Sequence, residues 1–266
     1  MRETRSSGKP VGRQEIFFHL KLLLRQQAMP SLVPFKSEDW LSVRTTLPSS
    51  LPQGLSRPHI TTPRLILRPF NSSDLDALYA LRQQPEVMHW TTASRVDADM
   101  EETATKLALF LPPNDTKTFN CAICLRETGE LIGQGGVHAF EQPADDAAAG
   151  PQLGWPELGY MIRKEHWGKG IATEFLTAFL GAWAGLPREG VPGRKVIASS
   201  AEGAGGPATV MEEQLVAVID GTNGASQKVL ERCGFESFLS FRDVDMRAPD
   251  RMIDLIAYRY FPNASR

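Results

Sequence analysis

The chain is poor in cysteine, has no long apolar run and is nearly balanced in charge. Its 266 residues hold three cysteines, Cys121, Cys124 and Cys233. So low and odd a number excludes a disulfide framework and fits a reducing compartment. Cys121 and Cys124 form a CxxC, yet they lie in "TFNCAICLRE", which alternates like a strand. Residues three apart in a strand face opposite sides, and no second Cys/His pair stands at zinc spacing. They read as buried thiols, and no metal is expected. No stretch reaches the ~18 consecutive apolar residues of a membrane span, so no membrane partner is expected. A formal net charge of −2 gives no electrostatic case for nucleic acid. There is no GxxxxGK[ST], and no GxGxxG with the acidic residue a dinucleotide site needs.

What charge there is lies unevenly. Residues 1–58 carry nine Lys or Arg against four acids, leaving 20 and 27 for the remainder. The rest of the chain is mildly acidic, which suits an amine substrate. Near the start, "IFFHLKLLL" (Ile16–Leu24) follows a basic stretch containing Ser6 and Ser7. It reads as a surface helix or leader, with a mitochondrial presequence as the alternative that Glu3 and Glu15 oppose. A cytoplasmic location is expected. "TTLPSSLPQGLSRPHITTPR" (Thr45–Arg64) is rich in Pro, Ser and Thr and reads as linker. The sequence thus divides into an N-terminal extension and linker over 1–60 and a domain over 61–262. Within that domain, 185–212 is a Gly- and Pro-rich loop insertion.

Within the domain, strand and helix patterns alternate. "RLILRPF" (Arg64–Phe70) predicts a first strand. "NSSDLDALYALRQQ" predicts a capped helix with Leu75, Leu78, Tyr79 and Arg82 at helical spacing, and Asp97–Leu111 a second, ended by Pro112 and Pro113. "FNCAICLRE" and "LIGQGGVHAF" predict a hairpin around Thr128–Gly129–Glu130. Ile171, Phe175, Phe179 and Trp183 recur every four residues and predict a helix packed on a sheet. "LVAVID", "ESFLSF" and "MIDLIAYRYF" read as strands, with a helix over "GTNGASQKVLERCGF". The fold class is α/β (α+β): a mixed central sheet of about six to seven strands flanked by helices.

One stretch carries chemistry: "ELGYMIRKEHWGKGIATEFL" (Glu157–Leu176). A strand runs through a turn into a helix, and Gly168 and Gly170 bracket Lys169. A helix start exposes unbonded N–H groups at a positive dipole end and stabilises an anion. Glycines let the backbone approach that anion. Alone, a G-K-G is equally a simple glycine turn.

Three blocks in order narrow the choice. They are Thr62-Pro63-Arg64-Leu65-Ile66-Leu67-Arg68; Glu157-Leu158-Gly159-Tyr160 with Trp167-Gly168-Lys169-Gly170-Ile171-Ala172-Thr173-Glu174; and Asn223-Gly224-Ala225-Ser226 with Glu231-Arg232-Cys233-Gly234-Phe235. Together they resemble the GNAT family of N-acetyltransferases, nearest its ribosomal-protein N-terminal acetyltransferase-like subgroup, over about residues 60–260.

The resemblance implies a GNAT fold whose splayed parallel strands form an acyl-CoA slot, with acetyl-CoA as co-substrate. It implies that the Trp167–Thr173 turn (Trp167, Gly168, Lys169, Gly170, Ile171, Ala172, Thr173) holds the pyrophosphate. Met161, Ile162 and Arg163 would pair by their backbone with the pantetheine arm, and Asn223 would hold that arm from the neighbouring strand. Glu157 matches the base candidate; its other reading is a surface carboxylate. A backbone N–H near Met161 would polarise the thioester carbonyl. Leu230 stands where many members have a tyrosine acid, and Ser226 is the subgroup's substitute; its other reading is helix capping. The activity implied is acetyl transfer to a primary amine, a peptide N-terminus or a small molecule. The alternative is a catalytically weak module that senses acyl-CoA. Loops Gln84–Met100, Phe140–Pro156 and Gly185–Pro207 would shape the acceptor side, in a monomer or homodimer.

Overall fold

A computed structural model describes residues 40–54, 57–140, 153–201, 210–245, 247, 248 and 250–263. The Ile16–Leu24 segment and the Gln142–Gly150 loop lie outside the described residues. The main sheet has eight strands in the order β2-β3-β4-β5-β6-β8-β10-β9, more than the sequence predicts. These are β2 (Ile60–Thr61), β3 (Leu65–Arg68), β4 (Phe119–Leu125), β5 (Leu131–Ala139), β6 (Glu157–Ile162), β8 (Leu215–Asp220), β9 (Glu236–Val244) and β10 (Met252–Tyr260). Every neighbouring pair is antiparallel except β6 and β8.

The helices are α1 (Leu75–Arg82), α2 (Pro85–Met88), α3 (Met100–Ala108), α4 (Ile171–Ala184) and α5 (Gly224–Arg232). On one face of the sheet α4 buries Phe175, Phe179 and Trp183 completely, against Phe119, Ile132 and Val137. α5 adds Leu230 to the same core. On the opposite face α1 and α3 pack Leu78, Leu81 and Leu107 onto Ala122, Cys124 and Leu131. Cys121 belongs to the first core and Cys124 to the second, as strand alternation requires.

Two segments correct the sequence reading. Trp40–Pro48, placed in the extension and linker, is strand β1, and Arg188–Ile197, placed in the loop insertion, is strand β7. They pair antiparallel as a separate two-stranded sheet. Val43, Val196 and Ile197 pack it onto Val216 and Ala257 of the main sheet. The partners are about 150 residues apart along the chain, and Pro192 and Gly193 interrupt any alternation in β7. Local pattern therefore reads as loop where long-range pairing makes strand.

Candidate active site

The one parallel contact in the sheet is the centre of the site. β6 and β8 share a single registered pair, Glu157 with Val216, tied by a 2.9 Å bond from the Val216 N–H to the Pro156 carbonyl. Beyond it the two strands part. The Arg163 N–H donates to the Ile132 carbonyl of β5 at 2.8 Å. By alternation the backbone groups of Met161 also face β5, and a Cβ on Gly133 would stand 2.6 Å from the Met161 carbonyl oxygen. The amides of Tyr160 and Ile162 point the other way, into the opening.

This corrects two of the three positions expected to pair with the donor, since of Met161, Ile162 and Arg163 only Ile162 turns its backbone to the slot. The N–H of Met161 itself is turned away, whereas the N–H groups on either side of it, of Tyr160 and Ile162, face the opening. The Arg163 side chain is also committed elsewhere, to Glu130 at 2.8 Å and the Ala77 carbonyl at 3.2 Å.

Past β6 the chain makes a short turn and reaches Gly168 and Gly170, both left-handed at φ +70° and +74°. That conformation is strained for any residue with a Cβ, and beside Gly168 a Cβ would meet nothing within 4 Å. Gly170 is the N-cap of α4 without a side-chain cap. The first helical bond runs from the Glu174 N–H to the Gly170 carbonyl at 3.1 Å. The N–H groups of Ile171, Ala172 and Thr173 thus have no partner within the helix. Ile171 contributes only backbone, its side chain being buried, whereas Trp167, Gly168 and Lys169 are exposed. These residues suit a pyrophosphate: open backbone, free helix-start donors and the Lys169 charge.

A clamp fixes this turn. Glu174, in the first turn of α4, accepts from the Thr62 hydroxyl at 2.6 Å, the Arg64 N–H at 2.9 Å and the Arg64 Nε at 2.5 Å. Arg64 Nη1 donates to the Lys169 carbonyl at 2.8 Å. Burial works against the Glu174 charge, but the bonds from Thr62 and Arg64 outweigh it and hold the carboxyl below its usual range. The first and second motif blocks are thereby one unit in space. A cavity of about 510 Å³ opens beside this clamp, bordered by Pro63, Gly170, Thr173, Thr177 and Arg232. Its α4 border is Thr173, Glu174, Thr177 and Ala178, not the fully buried Phe175, Phe179 and Trp183 that pack on the sheet.

At the end of β8, the Asn223 Oδ1 caps α5 by accepting from the Ser226 N–H at 3.1 Å. The side-chain oxygen of Asn223 is thus engaged in the cap. Ser226 stands beside the Tyr160 phenol. That oxygen is buried and has no partner in bonding geometry. Burial pushes the phenol up to about 12, with Ser226 easing the shift. Leu230, at the usual tyrosine position, is fully buried among apolar side chains.

On the other face, Glu157 Oε1 lies 3.4 Å from His138 Nε2. Sequence reasoning missed His138, Tyr160 and the Glu174 clamp. The Glu-x-Gly-Tyr block contained Tyr160, but only packing shows where the ring points. α2 spans the mouth of the opening. Gln84 Nε2 donates to Glu165 at 2.9 Å and Gln84 Oε1 accepts from the Lys164 N–H at 2.9 Å. His89 Nε2 meets Arg247 Nη1 at 2.9 Å, and Arg247 pairs with Asp220 and Asp245 at 2.8 Å each. Gln84 and His89 thus tie the start of the Gln84–Met100 segment to the chain just past β6 and to Arg247, which pairs with Asp220 at the end of β8. Among the described residues no group of three or more His, Cys, Asp or Glu could hold a metal, and no helix is long and apolar enough to cross a membrane.

A mixed sheet that parts between two parallel strands, beside a helix opened by a glycine turn, defines an α/β protein whose sheet opens toward an uncapped helix start. More particularly, the chain belongs to the GNAT family of acetyltransferases, because the family described as "Acetyltransferase (GNAT) domain" matches residues 64–236. It is 31% identical over 121 residues to an uncharacterized N-acetyltransferase, YoaA, of Bacillus subtilis, covering 45% of this chain and 63% of that one. The chain thus spans less than two thirds of that relative.

Among solved structures, an acetyltransferase of the GNAT family from Bacillus anthracis superposes with a TM-score of 0.54 at 16% identity, covering 77% and 99% of the two chains. RimL, titled a ribosomal L7/L12 alpha-N-protein acetyltransferase in complex with coenzyme A, superposes at 0.55 with 18% identity, covering 78% and 100%. At such identities the likeness is one of fold.

Proposed function

We propose that the chain transfers an acetyl group from acetyl-CoA to a primary amine. The observation that carries this reading is the single registered pair between β6 and β8, beyond which the strands part toward the Gly168–Gly170 turn. Acetyl-CoA supplies an activated acyl group as a thioester. The chain's own residues have four tasks. The N–H groups from Gly168 to Thr173, with Lys169 and Trp167 beside them, bind the pyrophosphate. The slot-facing amides of Tyr160 and Ile162 pair with the donor's amide-bearing arm, with Asn223 at the opposite rim. Glu157, at the closed end of the slot, serves the removal of the acceptor amine's proton, directly or through a group beside it. The Ser226 and Tyr160 hydroxyls donate hydrogen bonds to the departing sulfur.

Magnitudes decide what those hydroxyls can do. A simple thiol titrates near about 8.5, and a phenol pushed up to about 12 does not give it a proton outright. It can stabilise the thiolate by hydrogen bonding while solvent supplies the proton. The buried Leu230 supports the second reading, a catalytically weak module that senses acyl-CoA. Calorimetry with coenzyme A tests the donor, and no heat at millimolar ligand would sink it. A mass-spectrometric screen of amines and free peptide N-termini with acetyl-CoA separates enzyme from sensor. Coenzyme A binding without any acetylated product favours the sensor.

A further inference from the structure

The β5 strand carries an irregularity whose effect falls on one side chain. Val137 pairs with Leu158 and Ala139 pairs with Glu157, so His138 is an extra residue in a β-bulge. Bulges re-aim a side chain, and this one sends the imidazole over β6. There Nε2 stands 3.4 Å from Glu157 Oε1. The other edge of the ring lies over Gly159, where a Cβ would come within 3.1 Å of Cε1 and 3.2 Å of Nδ1. Bulge, glycine and carboxylate thus converge on His138, at the end of the slot where β6 and β8 last touch. His138 is also the more accessible partner, its side chain 46% exposed against 20% for Glu157. Glu157 is the charged group that β6 presents to it. On the β4 side the neighbours Thr118, Phe119 and Asn120 carry no charge.

We propose that His138 is a catalytic residue of the acetyl transfer, its Nδ1 taking the proton of the acceptor amine while Glu157 holds Nε2 and orients the ring. This rests on the reading of the chain as an acetyl-CoA-dependent N-acetyltransferase. An imidazole suits the task because its class titrates near neutrality, at about 6.5 against about 4.3 for a carboxylate such as Glu. A carboxylate behind the ring fixes which nitrogen keeps its proton. The balance is simple. The ammonium loses one proton to water. Its nitrogen then bonds the thioester carbon, and the C–S bond breaks with its electron pair on sulfur. The nitrogen's second proton passes to His138 Nδ1 and on to water, and the sulfur takes one proton from solvent.

Two readouts on the full chain test this. The first needs no turnover: the tautomer of the His138 ring is read from its 15N shifts in the parent and in Glu157→Gln. A ring that keeps its proton on Nε2 in the parent and loses that preference in the variant supports the pair, and an unchanged tautomer balance overturns it. The second follows thiol release from acetyl-CoA with n-butylamine, 1,4-diaminobutane and a peptide with a free N-terminus. His138→Gln is expected to lower kcat/KM by about a hundred- to ten-thousand-fold and to make the acid limb of its pH profile shallower, leaving only the part set by the amine's own ionisation. Calorimetry with coenzyme A should read as in the parent. Gly159→Ala displaces the ring without removing it and should lower kcat with little change in KM. An active parent whose His138→Gln variant keeps the parental acid limb overturns the proposal and leaves acetyl transfer standing. A parent that acetylates none of the three overturns both.

Discussion

The Trp167 indole donates a 2.7 Å hydrogen bond to the Ile162 carbonyl, tying the rim of the glycine turn back to the strand that borders the slot. Ile162 points this carbonyl toward the opening, so the bond joins the two elements proposed to bind the donor. Trp167→Phe keeps a ring and removes the bond. A net hydrogen bond is worth about 0.5–1.5 kcal/mol, and Trp167 is exposed, so water replaces part of it. Coenzyme A affinity by calorimetry should weaken about three- to tenfold, with a melting temperature within a degree or two of the parent. Parental affinity would show that the turn holds its shape without the indole.

Gly170→Asp and Gly170→Asn separate shape from charge at the turn. Both residues tolerate the left-handed conformation better than other side chains, at about 1–2 kcal/mol, and both would place their Cβ 3.5 Å from Arg64 Nη2. They differ in charge. If these amides hold a pyrophosphate, the aspartate variant should lose coenzyme A affinity at least about tenfold more than the asparagine variant. Equal losses in the two would mean that no phosphate group approaches this position.

The parts legible in the sequence were those whose determinants are local. The Ile171–Trp183 stripe, the two glycines and the hairpin around Gly129 each need only a few neighbouring residues. The illegible parts depend on distant partners. β1 and β7 become strands only through each other. His138 turns toward Glu157 because of a bulge set by the β5–β6 register. Which of Met161 and Ile162 faces the slot is a question of parity, answered only when β5 is aligned on β6. Tyr160 was legible as a motif residue but not as a buried hydroxyl.

The folded unit includes β1 and does not begin near residue 60. Val43, Leu47 and Leu51 are 2–4% exposed, and burying such side chains contributes about 1.5–3 kcal/mol each. Deleting residues 1–58 removes all three and strips β7 of its partner. Deleting residues 1–39 keeps them. The longer deletion should melt on the order of 10 °C or more below the shorter one, or precipitate. It should also weaken coenzyme A binding, because β1 packs through Val43 into the cluster containing Val216 at the foot of the slot. Identical melting of the two would show that β1 adds nothing to the domain.

Acid should weaken the α1–α3 wall in a defined window. Glu102 is desolvated, which alone would raise its pKa, but bonds from Arg95, Lys106 and the Ala98 N–H lower it from 4.5 to about 2. Asp97 is held low in the same way, its burial outweighed by Arg82, Lys106 and Thr103. A carboxyl whose folded pKa is depressed binds its proton more readily unfolded, so stability rises with pH. The contribution of Glu102 is complete above about 4.5 and is lost as the pH falls toward about 2. Urea melts from pH 7 to pH 2.5 should show the decline, and Glu102→Gln should flatten it and be less stable at pH 7. A variant with the parental pH dependence would remove Glu102 as its source.

Tyr160→Phe puts stability and turnover in opposition. The phenol oxygen is buried beside Ser226 and unpartnered in bonding geometry. An unsatisfied buried polar atom costs about 1–3 kcal/mol, so deleting it should leave the melting temperature unchanged or raise it. A tyrosine kept only for packing would tolerate the change without loss of activity. If the hydroxyl instead donates to the departing sulfur, kcat should fall about ten- to a hundredfold, the worth of one charge-assisted hydrogen bond of about 1.5–3 kcal/mol. Ser226→Ala should lower kcat less, and the double variant should lose less than the product of the two single losses, since the hydroxyls adjoin. The phenol, at about 12, stays protonated to high pH, so neither variant should move an alkaline limb below about pH 10. Melting curves of both variants and kcat against pH with an accepted amine read all of this. A more stable Tyr160→Phe with parental kcat would leave the hydroxyl outside the chemistry.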